Sequence, residues 1–241
     1  MATLFDSVEV EQEDVAEVIK SISSACQNCR LSMLHPYNRG FIYRGNPFAE
    51  LAFVNEAPRE SESERGVALV GAHGRAFEQW MKLIGLDTQK DVFITSVIQC
   101  MPPKVKKGIE EIQREPEATE ISACFGPRCL RVLRAMPNLK AVIALGWVAA
   151  SALLGTGDTP NDKPKAKTHD AQWFETSYLP GIPVFCMVDP VWVVKKPSMD
   201  KNAVVERALD YFKREFLEQN RITELAIEAR ENREAKGLGL M

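Results

Sequence analysis

Four short apolar runs constrain this chain more than any other feature. They are residues 51–54 (LAFV), 92–98 (VFITSVI), 141–145 (AVIAL) and 184–188 (VFCMV), and each stops at polar, glycine or proline residues. Runs of this length, rich in β-branched residues, suit strands buried on both faces of a sheet. Between them lie segments with helical spacing. Residues 9–25 carry Val10, Val15, Val18, Ile19 and Ile22 on one face. Residues 74–85 carry Phe77, Trp80, Met81 and Ile84. Residues 121–135 repeat the pattern, a short helix follows Gly146 as far as Leu154, and a long charged helix starts near Asp200. Strands alternating with helices predict an α/β fold, a parallel sheet with helices on both faces. Residues 104–121 are a polar excursion, and 155–181 are rich in Gly, Pro, Lys and Asp, as a loop would be. The expected organisation is one domain over residues 1–200, with no internal repeat, and a C-terminal helical extension over 201–241.

In such folds ligands bind beyond the carboxyl ends of the strands. Here those ends are Asn55–Glu56, Ser96 to Cys100, Gly146 and Asp189. Placement alone therefore nominates Glu56 and Asp189 as the carboxylates that face a cleft.

No apolar run approaches the roughly 20 residues of a membrane helix, so no membrane association is expected. The acidic start, MATLFDSVEVEQED, lacks the basic and apolar regions of a secretory signal. A reducing, cytoplasmic setting is the expectation. There the six cysteines, at 26, 29, 100, 124, 129 and 186, suit metal binding better than a disulfide framework. The net charge of −3 excludes a wholesale basic nucleic-acid binder and leaves room for a local basic groove.

Cys26-x-x-Cys29 puts two thiols on one tight turn, half of a four-thiolate site. Cys100 and Cys124 can supply the other half. Zinc and an iron–sulfur cluster both accept such a set. Cys186 sits inside a strand and is expected in the core.

Several segments together resemble the iron–sulfur-containing uracil-DNA glycosylases of prokaryotes. They are CQNCRL, GNPFAELAFVNEAP, GVALVGAHG, IGLDTQKDVFITSVIQCMPP, EISAC, VIALGWVAASALLG and VDPVWVVKK, in order over roughly residues 20–200. The resemblance implies a three-layer α/β/α sandwich with a short, mainly parallel four-stranded sheet. It also implies a four-iron, four-sulfur cluster on Cys26, Cys29, Cys100 and Cys124, and DNA as partner.

The same resemblance assigns roles. Glu56 matches the glutamate of the family's GEAPG motif, which positions water and supports the sugar cation. The motif's flanking glycines are Asn55 and Arg59 here. Leu69 stands where the family stacks the base on a phenylalanine. Ser96 stands where the family reads uracil with an asparagine. Asp189-Pro190 stands where the family has His-Pro. An ionised aspartate cannot donate to a departing base as a histidine can. Asp189 must therefore be protonated, bind a donor of the base, or act on water or sugar. His73, in GAHG, is a replacement donor.

The base pocket is thus expected at Asn55, Leu69 and Ser96, and the catalytic groups at Glu56, Asp189 and His73. DNA contacts are expected at Lys104, Lys106 and Lys107, and at Trp192, Lys195 and Lys196 after the Asp-Pro motif. These departures point to hydrolysis of the N-glycosidic bond of a flipped-out, modified base, in a prokaryotic or viral, nucleoid-associated setting. The alternative is a catalytically silent DNA- or protein-binding module on the same iron–sulfur scaffold, with the C-terminal helix available to a protein partner.

Overall fold

A computed structural model of the chain describes residues 13–24, 26, 29–34, 40–155, 171–195 and 198–219. Its centre is a six-stranded sheet in the order β1-β3-β2-β6-β8-β7. The strands are β1 (Tyr43–Gly45), β2 (Leu51–Asn55), β3 (Val92–Ser96), β6 (Ala141–Leu145), β7 (Gln172–Phe174) and β8 (Val184–Met187). The inner strands β3, β2, β6 and β8 are mutually parallel. They are the four apolar runs of the sequence, and every residue in them is buried. The three-residue edge strands β1 and β7 pair antiparallel, so the sheet is wider than the four strands expected. β7 lies within the stretch expected to be loop; residues 156–170 of that stretch, like Val10, lie outside the described residues.

Alternate side chains of the inner strands feed two cores. Ala52, Val54, Phe93, Val142, Ala144, Val184 and Cys186 face one side, against helices Val15–Ile22 and Trp147–Leu154 and the segment from Cys124 to Met136. Phe53, Ile94, Ile143, Leu145, Phe185 and Met187 face the other, against helices Gly71–Ile84, Pro190–Lys195 and Met199–Phe212. This is the three-layer α/β/α arrangement. Helix Val15–Ile22 is capped by Asp14, whose carboxylate accepts from the amides of Ala16 and Glu17 at 2.9 and 3.0 Å. Helix Gly71–Ile84 buries Phe77, Trp80, Met81 and Ile84, as its spacing predicts. Helix Met199–Phe212 buries Val205, Ala208, Leu209 and Phe212 on the sheet, so its apolar face is already used; residues 220–241 lie outside the described residues.

The excursion after Cys100 is a hairpin, β4 (Lys104–Lys107) with β5 (Glu110–Gln113), separate from the main sheet. Residues 121–135 are helical with an internal break. Helix Ala118–Cys124 passes into a π-helical segment, Phe125–Leu130, before helix Arg131–Ala135.

Candidate active site

The carboxyl ends of β2 and β8 carry Glu56 and Asp189 to the same edge of the sheet. Backbone bonds continue past the end of β2. The amides of Val97 and Ile98 donate to the carbonyls of Asn55 and Glu56 at 2.9 and 3.3 Å, fixing the main chain at Glu56. Burial pushes the Glu56 carboxyl up to about 7, and the neighbouring Asp189 pushes in the same direction; Arg59 and Lys195 oppose, and Glu115 adds to the rise. Asp189 is also raised, again by burial, against the Val191 amide, Arg59 and Lys195. That amide donates to Asp189 Oδ1 at 2.6 Å. Between the two carboxylates, at the end of the central strand β6, stands Gly146 with φ +87. A Cβ there would lie 3.1 Å from Asp189 Cβ, tighter than ordinary contact, so glycine leaves the aspartate its place.

His73 occupies the first turn of helix Gly71–Ile84 and is half-buried. Burial lowers its ring to about 4, with help from Arg59 and Lys195. It is therefore a neutral imidazole at neutral pH, able to donate from one nitrogen and accept at the other. Arg59 and Lys195 act on Glu56, His73 and Asp189 alike. The three expected catalytic groups thus share one electrostatic neighbourhood with two cations.

Leu69 has φ +47, a left-handed conformation rare for a leucine and worth about 1–3 kcal/mol of strain. It is held from both sides. Its amide donates to Glu62 Oε1 at 2.6 Å, and its carbonyl accepts from Arg44 Nη1 at 3.0 Å. Glu62 also accepts from the Arg59 amide at 3.0 Å, which ties the Leu69 loop to the Glu56 loop. Burial lifts Glu62 to about 7 despite these bonds. Gly74 completes the clamp, since a Cβ there would fall 2.0 Å from the Leu69 carbonyl oxygen. The Leu69 side chain is 2% exposed and packs into the core with Phe53 and Phe77.

Asn55 and Ser96 are register partners at the ends of β2 and β3, and both are buried. Ser96 Oγ donates to Asn55 Oδ1 at 2.5 Å, while Asn55 Nδ2 reaches the Ala57 carbonyl only at 3.5 Å. Gln99 braces this corner, donating from Nε2 to the Ser96 carbonyl at 2.8 Å.

Three residues beyond Ser96 the chain enters the cysteine cluster. Cys26, Cys29, Cys100 and Cys124 line one cavity, together with Gln99 and Arg128. Burial pushes the Cys100 thiol up to about 12, and Cys124, Cys29 and Cys26 add to the rise. Burial likewise pushes Cys124 up to about 12, partly offset by a bond from the Gln99 amide and by Arg128. The Ser32 amide lies 3.5 Å from Cys29 Sγ. Arg128 is buried beside the cavity and donates to the Ile22 carbonyl at 2.7 Å. Cys129 is fully buried in the core and does not line this cavity, and Cys186 is buried within β8. Among the described residues no three His, Cys, Asp or Glu side chains are gathered tightly enough to hold a single metal ion.

The sequence profile of the Uracil DNA glycosylase superfamily matches residues 42–213, which runs from β1 through helix Met199–Phe212. The chain belongs to this superfamily. Among its relatives, the type-4 uracil-DNA glycosylase of Sulfurisphaera tokodaii is 35% identical over 192 residues, covering 78% of this chain and 80% of that protein. That of Archaeoglobus fulgidus is 29% identical over 192 residues, with 78% and 86% covered. That of Thermotoga maritima is 24% identical over 204 residues, with 83% and 97% covered. All three relatives come from prokaryotes. Among the described residues no helix is long and apolar enough to cross a membrane.

The remaining expected site residues of this superfamily member are lysines and Trp192. Lys104, Lys106 and Lys107 are exposed on β4, and Lys104 pairs with Glu60 at 2.8 Å. Lys195 is exposed at the end of helix Pro190–Lys195. Trp192 is 41% exposed, with the Lys201 ammonium 4.5 Å from its ring centre. Lys196 lies outside the described residues. Arg44 and Glu62, which position the Leu69 loop, are not expected from the sequence, and Gly146 and Gln99 are expected only as parts of the strand ends. For Glu62 a signal existed, a glutamate three residues after Arg59 at a helix start, the spacing of a reciprocal cap. For Arg44 there was none, because its partners come from 25 to 44 residues away.

Proposed function

We propose that this chain is a hydrolytic DNA glycosylase. The observation that carries the reading is the Glu56–Asp189 pair, two carboxylates with raised pKa at the ends of the parallel strands β2 and β8 that flank β6, beside Arg59 and Lys195. The names of the relatives support the same chemistry.

Cleaving an N-glycosidic bond requires a base drawn out of the stack. The C1′–N bond breaks, its electron pair leaves with the base, and the sugar becomes cationic. Water then adds its oxygen to C1′ and gives up one proton, which Glu56 takes and passes on to the solvent or the departed base. Ionised Glu56 supplies the negative charge that the sugar cation needs and accepts the proton of the attacking water. Asp189, raised by burial, donates in its protonated form to an oxygen of the departing base. Two carboxylates at one site then divide the roles of base and acid. Neutral His73 is a second donor to the base.

The base pocket is assigned to Asn55, Ser96 and Leu69. The Ser96 hydroxyl occupies Asn55 Oδ1, so the amide offers mainly its N–H hydrogens. That favours a base with a carbonyl oxygen at the recognised edge. With leucine for an aromatic wall, and serine and asparagine sharing the reading position, the preference shifts from plain uracil toward a modified pyrimidine. Lys104, Lys106, Lys107 and Lys195 contact phosphates.

Cys26, Cys29, Cys100 and Cys124 fit an iron–sulfur cluster. Four thiols round one cavity, with amide donors and the Arg128 guanidinium nearby, suit a tetra-thiolate dianionic group. When bound, the group crosslinks the N-terminal segment, the end of the β3 segment and helix Ala118–Cys124.

The test is strand cleavage of oligonucleotides carrying uracil, hydroxymethyluracil, hypoxanthine or modified cytosines. Alkali-labile sites at a carbonyl-bearing pyrimidine support the reading. Cleavage of none of them, with DNA binding retained, selects the silent binding module.

A further inference from the structure

The hairpin at residues 104–113 is held at its base and free at its tip. Gln113 Nε2 donates to the Pro58 carbonyl at 3.0 Å, and Arg59 Nη1 lies 3.5 Å from Gln113 Oε1. Lys104 pairs with Glu60 at 2.8 Å. On the other side Arg114, just past β5, pairs with Glu120 at 2.6 Å. The base of the hairpin is therefore stitched to the loop that follows Glu56 and to the helix that ends at Cys124.

From the Lys104–Gln113 rung the arm runs four residue pairs to a two-residue turn at Gly108 and Ile109, with Gly108 at φ +66. At strand rise, its tip stands roughly 13 Å beyond the anchored rung. There Ile109 is wholly exposed, and Val105 is 42% exposed. Lys106 and Lys107 sit opposite Glu111 and Glu110, so the arm is close to neutral, and phosphate contacts by its lysines do not explain an apolar tip. An isolated two-stranded hairpin is barely stable by itself, and an isoleucine at its tip adds nothing to it in water. Both features gain a purpose when the tip enters an apolar setting.

We propose that this hairpin is an arm that enters duplex DNA. Ile109 fills the place in the base stack left by the nucleotide drawn toward Glu56. The inference rests on the glycosylase reading of the site. It follows from continuity: DNA engaged at Glu56 passes the Pro58–Glu60 loop to which the arm is fastened. Apolar wedges of this kind hold bent or opened DNA in other minor-groove complexes. Trp192 is the competing wedge. It is tied back, with the Lys201 ammonium over its ring at 4.5 Å and bonded to its carbonyl at 2.5 Å.

The experiment uses duplex DNA with a tetrahydrofuran abasic site opposite 2-aminopurine, and the matching single strand, so that neither cleavage nor base identity enters. Binding is read by anisotropy and stacking by 2-aminopurine fluorescence, for the full chain and for Ile109→Ala and Trp192→Ala. Ile109 is exposed, so its substitution leaves the fold intact. The expected result is an Ile109→Ala protein that binds the duplex about tenfold more weakly, loses the fluorescence change, and binds the single strand within twofold of the parent. Unchanged duplex binding by Ile109→Ala, an equal loss on both DNA forms, or a signal lost only in Trp192→Ala overturns the arm. A parent protein that binds neither DNA overturns the glycosylase reading and the arm with it.

Discussion

Ser96 donates its hydroxyl to Asn55 Oδ1 at 2.5 Å, across a rung on which the two are register partners. The bond sets which end of the amide is left for a ligand. Replacing Ser96 with alanine frees Oδ1 and lets the amide turn. We expect Ser96→Ala to blur the ranking of bases in the cleavage panel, and Asn55→Ala to lower cleavage of the preferred base about tenfold or more, the worth of a lost hydrogen bond in a dry site. A Ser96→Ala protein with the parent's ranking would show that the pair only packs the strand ends.

Activity should rise with pH through about 7, because Glu56 works ionised and its carboxyl titrates there. Stability should move the other way. Glu56 and Glu62 both titrate near 7 in the fold against 4.5 when free, so the folded protein holds more protons between those values. Their favourable contribution is complete below about 4.5 and is lost as pH rises through 7. Thermal unfolding followed from pH 5 to 8 should show a falling Tm, and Glu56→Gln should flatten part of that fall. A Tm that climbs over this range would contradict the placement of both groups.

Gly146→Ala introduces a Cβ 3.1 Å from Asp189 Cβ at φ +87. Gly85→Ala is its control, with a similar φ of +80 and nothing within 4 Å of the new Cβ. Gly85→Ala should lose about 1–2 kcal/mol from its left-handed backbone, and Gly146→Ala, at ψ 170 in a region essentially confined to glycine, at least as much. Only Gly146→Ala should also lose cleavage, by more than tenfold, measured in single turnover. Equal activity in the two variants would show that Asp189 needs no exact placement.

Cys124 lines the cavity shared with Cys26, Cys29 and Cys100, whereas Cys129 does not. Cys124→Ser should purify with little iron and little visible colour. Cys129→Ser should keep both, at a cost in stability of about 1–3 kcal/mol for a hydroxyl placed in the core. Iron and sulfide analysis of the two proteins checks this, and the reverse pattern would move the fourth ligand to Cys129.

The inner strands were legible because residues such as Phe53, Ile94, Ile143 and Phe185 form runs that only a two-sided burial explains. The register that joins Asn55 to Ser96 was not legible, since strand pairing is decided by packing across the sheet and not by either segment alone. The edge strands β1 and β7, three residues each, are too short to show alternation. The hairpin was hidden for a different reason. Its β4 residues are all exposed and mostly charged, so no apolar period marks it. Strand ends pointed to Glu56 and Asp189, cysteine spacing pointed to the four-thiol site, and the resemblance added the iron–sulfur cluster. The clamp on Leu69 came only from long-range bonds by Arg44 and Glu62.

The most direct test of the account is single-turnover cleavage by the parent and by Glu56→Gln of a duplex carrying the base preferred in the panel. The account predicts alkali-labile sites with the parent and a loss of about 10²–10³-fold with Glu56→Gln, while both proteins bind the duplex alike. Cleavage by Glu56→Gln at the parent's rate would contradict it.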